Sequence, residues 1–255
     1  MTNSVEAEAA ANSVKSNVAR KFPSVEDPRC RHGLVFPSLS PSFEIEPKDR
    51  VFTIGSCFAR NIEEELARQH IDVPTMHFKT PQDELRANAR SNKALNQYNL
   101  GTMLQCIRAM EDGANHGGFL ARADGMVIDP ILATGRIPDG SERAKERRDQ
   151  IRNLYASELP NCDVAIITLG LAEAWYDNAA GLFLNVTPSP RMVAKEPNRF
   201  VFHNLGYNEV SSMLREMVSK IQGYGCRKVL LTVSPVPLNS TYTGRDCVVA
   251  NMTSK

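Results

Sequence analysis

An α/β fold built around a mostly parallel sheet is predicted by three observations. Two short runs, Val51-Phe52-Thr53-Ile54 and Asp163 to Leu169 (DVAIITL), are almost wholly apolar, as strands buried on both sheet faces are. Other stretches carry apolar residues at helical spacing, best in Val210, Met213, Leu214, Met217, Val218 and Ile221. The alternation of the two patterns implies parallel strands covered by helices on both faces.

The elements follow in order. Residues 1–28 are rich in Ala, Ser, Asn and Glu and read as a flexible tail, with the domain occupying 29–255. Pro37, Pro41 and Pro47 break up the lead-in and limit any central-strand role there. The first strand, Val51 to Ile54, is halted by Gly55. Phe58, Ile62 and Leu66 then recur every fourth position, which predicts an amphipathic helix turning in at Gly55-Ser56-Cys57. A weaker β-like run spans Ile71 to Phe78. Asn99-Leu100-Gly101-Thr102 leads into a helix carrying Met103, Ile107 and Met110. Phe119 to Ile128 reads as a hairpin turning at Ala123-Asp124-Gly125. Ser141 caps a charged helix reaching Ser157, with Ile151, Leu154 and Tyr155 as its apolar contacts. A second hairpin runs from Trp175 to Asn185 and turns near Asn178 to Gly181. Gly223 and Gly225 end the Val210–Ile221 helix, and Lys228 to Val233 (KVLLTV) is a further buried strand stopped by Ser234-Pro235.

Composition removes several function classes. The 255 residues carry 30 Lys plus Arg against 29 Asp plus Glu, so the basic excess of a nucleic-acid binder is missing. The longest apolar stretch, Val164 to Leu171, is far too short to cross a bilayer, and the N-terminus has no secretion-signal core. Six cysteines lie far apart with no C-x-x-C pair, which reads as reduced thiols in the cytoplasm rather than a disulfide or zinc scaffold. No metal-ligand cluster is visible and no cofactor is expected. Nucleic acid and membrane are therefore not expected as partners, and the oligomeric state is not set by the residues.

In open parallel sheets ligands bind outside the C-terminal strand edges. Three segments are expected there: Gly55-Ser56-Cys57, Gly170-Leu171-Ala172-Glu173 and Ser234-Pro235-Val236-Pro237. In the first, a small residue lets the chain turn and sets a hydroxyl at a helix N-terminus, where dipole and free N–H groups favour developing negative charge. From spacing alone, capping that helix is the commoner role for Ser56. Cys57 is a rival nucleophile, since a helix N-terminus lowers a thiol's pKa, although a small buried apolar residue is the commoner role of a lone cysteine. Elbow, P-loop, dinucleotide and zincin motifs are all missing.

The residues Gly55-Ser56-Cys57-Phe58-Ala59 spell the string for which the GSCFA-domain family is named. Ile167 to Trp175 (ITLGLAEAW) resembles that family's T-L-G-L-T/A-E-x-W block, Phe202-His203-Asn204 its F-H-N, and Leu231 to Leu238 (LTVSPVPL) its T-V-S-P-V-P-L, all in order. The resemblance implies a three-layer α/β/α fold of the SGNH (flavodoxin-like) type, grouped with GDSL-like ester hydrolases and acyltransferases. It implies Ser56 as nucleophile, with its backbone N–H contributing to an oxyanion hole. By the same resemblance Cys57, Asn99, Gly101, Gly170 and Glu173 are the candidate oxyanion and substrate-binding residues, with an N-cap and turn as the alternative for Asn99 and Gly101. The expected substrate is a small-molecule or glycan acyl ester.

The chain departs from that pattern in three places. Where SGNH enzymes carry G-x-N-D, it has Gly170-Leu171-Ala172-Glu173, and Ala172 cannot donate to an oxyanion. The C-terminal D-x-x-H block that supplies the base is missing, so the C-terminal part of the domain is expected to be absent. Cys247 stands where relatives often have His. A serine needs a neighbouring base, and His203, expected in a loop before the best helix, is the candidate, with His77 behind it. A loop imidazole bonded to backbone is the alternative for His203. For the chain as a whole, the alternative to an acyl-serine enzyme is a non-catalytic module binding a carbohydrate or anion in the same place.

Overall fold

The computed structural model describes residues 4–133 and 137–255 and divides the chain into two compact units, 1–44 and 45–255. The first contains helix α1 (Ala7–Ser16), which has no buried residue, and a two-stranded antiparallel pair, β1 (Cys30–Arg31) and β2 (Leu34–Val35). The helix lies inside the segment expected to be a flexible tail, and the two units divide between Glu44 and Ile45.

The second unit is mixed α/β. Its elements run β3 (Val51–Gly55), α2 (Cys57–Arg68), α3 (Leu100–Asp112), β4 (Leu120–Ala121), β5 (Val127–Ile128), α4 (Ser141–Glu158), β6 (Val164–Leu169) and β7 (Glu173–Asp177). There follow β8 (Leu182–Leu184), α5 (Pro190–Lys195), β9 (Phe200–Asn204), α6 (Tyr207–Gly223), β10 (Lys228–Val233) and α7 (Cys247–Thr253). A parallel sheet in the order β10-β6-β3 holds the centre, with Gly55 level with Thr168 and Val233 with Leu169. Its three C-terminal ends therefore stand together. A separate antiparallel sheet, β8-β7-β9, begins four residues after β6 ends, and its strand β8 packs on α3.

Strand parity decides what each sheet face meets. Phe52, Ile54, Ala165 and Ile167 pack into one cluster with Met103, Leu104 and Ile107 of α3, Ile151 and Tyr155 of α4, and Met217 and Ile221 of α6. Phe52 meets Tyr155 edge to face at 4.9 Å. Thr53, of opposite parity, turns to α2 and the buried Arg60–Glu63 pair (2.7 Å). Glu63 also accepts from Thr53, from Thr75 and from the Asn92 amide (2.8 Å), so this ion pair has hydrogen bonds around it rather than bare apolar walls.

Four expectations need correction. The run Ile71 to Phe78 makes one parallel bridge, Asp72 to Arg50, and then turns as a 3-10 helix at Pro74–His77, because Pro74 has no N–H to extend a ladder. Phe200–Asn204 is a strand paired to β7, not a loop. Strand β10 is an edge strand rather than a fully buried one, with Leu230, Leu231 and Val233 about two-fifths exposed, because among the described residues only β6 pairs with it. Gly140, not Ser141, occupies the N-cap of α4. Both hairpins are found where the turn residues put them.

Gly55 sets how closely β3 and β6 approach. Its φ is +144°, and a Cβ there would stand 1.9 Å from Thr168 Oγ1 and 2.7 Å from the Thr168 carbonyl. Replacing Gly55→Ala is expected to lower stability by roughly 3 kcal/mol, from overpacking together with a forced backbone angle. Urea unfolding checks this, and a change within about 0.5 kcal/mol would contradict it.

Candidate functional site

A cleft of about 350 Å3 opens where the three parallel strands end. Ser56 and Cys57 after β3, Gly170 and Leu171 after β6, and Ser234, Val236 and Pro237 after β10 all line it. The expectation of three segments meeting at one sheet edge is thus realised in a single cavity.

Ser56 is buried and is the N-cap of α2, its Oγ accepting from the Phe58 N–H at 3.3 Å. That contact uses a lone pair and leaves the hydroxyl proton available for transfer. Cys57, exposed and unpaired, is the first residue of α2, so its N–H has no intrahelical acceptor and points out of the helix end beside Ser56. The arrangement supplies a hydroxyl and a backbone donor at the positive end of a twelve-residue helix.

The second wall is built by close backbone approach. A Cβ on Gly170 would lie 2.6 Å from the Tyr98 carbonyl, and that carbonyl accepts from the Leu171 N–H at 3.0 Å. Tyr98 and Asn99 are thereby held against the end of β6. Asn99 lines the cleft, yet its side chain is committed to structure: the amide donates to the Leu184 carbonyl (2.9 Å) and its oxygen caps α3 through the Thr102 N–H (3.0 Å). Gly101 is not on the cleft wall; a Cβ there would run into the Phe183 ring at 2.2 Å, so its smallness serves packing of β8 on α3. Burial pushes the Tyr98 phenol above its ordinary pKa.

Glu173, buried at the start of β7, accepts from Thr241 Oγ1 and from the Tyr242 N–H at 3.0 Å. It fastens the loop after β10 across the cleft instead of presenting a bare carboxylate. The loop brings Tyr242 onto Trp175 (5.3 Å between ring centres) and Phe202 (5.8 Å). His203 is not brought to Ser56. On β9 it alternates with Phe202: the Phe202 side faces the cleft, while the His203 ring packs edge-on to Tyr176 and Phe183 on the other side of the sheet. His77 is largely exposed, 4.0 Å from Asp72. Among the described lining residues the ionisable groups are Cys57, Tyr98, Glu173, Tyr242 and Lys255, and burial lowers the Lys255 ammonium below its ordinary pKa.

The sequence matches the GSCFA family profile over residues 50–255. The chain belongs to the GSCFA family. No curated protein and no solved structure matches it. In this GSCFA chain the name-giving string is the β3–α2 junction, the T-L-G-L-A-E block is the turn from β6 into β7, and S-P-V-P-L is the cleft wall beyond β10.

Sequence reasoning did not single out Asn185 or Tyr242. Asn185 Oδ1 accepts from the Tyr98 N–H and Thr102 Oγ1, and its amide reaches the carbonyls of Asn96 and Ile131 and the Gln97 side chain, all within 3.1 Å. Its position directly after the β7–β8 hairpin was the only local hint. No helix among the described residues is long and apolar enough to cross a membrane. Substituting Glu173→Ala is expected to speed amide exchange at Thr241–Gly244 by about tenfold or more, since it removes two hydrogen bonds to a charged acceptor. Unchanged protection of that loop would contradict the clamp.

Proposed function

We propose that the GSCFA chain carries out acyl transfer from an ester through Ser56, within an SGNH-type three-layer α/β/α arrangement. The observation that carries this reading is Ser56 at the N-terminus of α2, in a cleft formed by the ends of all three parallel strands. Ser56 Oγ adds to the ester carbonyl carbon as its proton passes to a base, and the carbonyl π pair moves onto oxygen. The N–H groups at the head of α2 stabilise that oxyanion. Collapse expels the alcohol, which takes a proton, and leaves an acyl-serine. Water or a second hydroxyl then resolves it, giving hydrolysis or transfer. On the described wall the one side-chain carboxylate is Glu173, which keeps lone pairs beyond those used by Thr241 and Tyr242 and is the group able to take the Ser56 proton; His203 lies off that wall.

The substrate is a small-molecule or glycan acyl ester, and the balanced charge gives no support for nucleic acid. A cytoplasmic location is supported by the six unpaired thiols. A second reading, a binding site without turnover, is favoured by one observation: the side chains of Asn99 and Glu173 are spent on holding loops. The two are separated by turnover of p-nitrophenyl esters. The acyl-serine reading expects measurable hydrolysis that falls about 10³-fold or more in Ser56→Ala. Full activity in that variant would refute it, and thermal stabilisation by ligands without turnover would favour the binding site.

A further inference from the structure

We propose that the wall made by Trp175, Phe202 and Tyr242 is an acyl subsite, taking a neutral aliphatic acyl chain of about four to eight carbons; this rests on the acyl-serine reading for its place in the reaction. Trp175 and Phe202 are directly paired across β7 and β9, so their side chains share the face turned to the cleft. Their ring centres are 5.5 Å apart, and Tyr242 closes the trio from the loop that Glu173 fastens. Trp175 and Phe202 are half-buried and Tyr242 is exposed, which leaves apolar ring surface at the cavity. Leu171, Leu184 and Val236 extend it toward the strand ends.

Charge on the wall argues the same way. Of the described lining residues, those charged at neutral pH are Glu173 and Lys255. Glu173 is engaged by Thr241 and Tyr242, and Lys255 Nζ donates to the Val236 carbonyl at 3.0 Å. No guanidinium lines the described wall to receive a carboxylate or phosphate on the acyl group. At about 350 Å3 the cleft is at the low end of small-molecule sites, roughly 300–1,000 Å3, which suits a short chain and not a long lipid.

Trp175 is the one tryptophan of the chain, so its fluorescence reports on this wall directly. Hexanamide and acetamide would be titrated into Ser56→Ala, which cannot acylate, and p-nitrophenyl esters from acetyl to octanoyl would be assayed on the parent chain. The subsite predicts a saturable change with hexanamide at least tenfold tighter than with acetamide. It also predicts kcat/KM rising by up to about fourfold per methylene as far as hexanoyl. Val236→Glu, at a half-exposed position, and Tyr242→Ala should each weaken hexanamide several-fold while the melting temperature stays within a few degrees.

No saturable response, equal affinity for the two amides, or a flat ester series would overturn the subsite. Chain-length-dependent binding without any turnover would keep the subsite and overturn the acyl-serine reading. Turnover without chain-length preference would do the reverse.

Discussion

Everything at the cleft depends on how closely the end of β3 presses on β6. At Gly55 the backbone lies against Thr168 with no room for a Cβ, while the Gly55 carbonyl accepts from the Gln97 N–H at 2.8 Å. One residue thus joins two strand ends and the 96–99 segment. Ser56 is the next residue, and its position is fixed by that junction before any side-chain contact of its own. Gly170 repeats the device at the end of β6, where the Tyr98 carbonyl takes the space a side chain would need. Two glycines in close contact with backbone therefore set the spacing of the cleft walls.

Polar side chains then hold the remaining walls. Asn185 satisfies donors and acceptors from five other residues around the β8 end of the site, and Asn99 ties the start of α3 to β8. Glu173 fastens the loop beyond β10. A buried amide or carboxylate left without partners costs more than the pair contributes when made, so these residues are satisfied by the loops they organise. The consequence for chemistry is direct. The side chains of Asn99 and Glu173, whose types suggest oxyanion donation or base catalysis, are engaged in positioning, while Ser56 and the head of α2 keep polar groups on the cleft.

How much of this was legible in the sequence follows from which contacts are local. The β3–α2 junction was readable because a strand, a glycine, a cap and an amphipathic helix occupy consecutive residues, and the hairpin at Asn178–Gly181 because its turn residues are adjacent. Strand β9 was missed because its partner β7 lies far back in the chain, and a three-letter block beside a helix looks like a loop without that partner. His203 went wrong for the same reason: once Phe202–Asn204 is a strand, alternation sends the imidazole to the face away from Ser56. The apolar run of β10 could not tell an edge from a centre, since that depends on neighbours rather than composition. Tyr242 lies in a stretch with no periodicity, and it joins the site through Glu173 alone among the polar contacts described here.

The central claim is that Ser56 is a nucleophile as well as a cap. It is tested most directly by incubating the whole chain with a fluorophosphonate, measuring the intact mass and mapping the modified peptide. One adduct on Ser56, lost in Ser56→Ala, is the predicted result. No adduct, or one on a different residue, would contradict it and leave the cleft as a binding site whose serine serves only the helix.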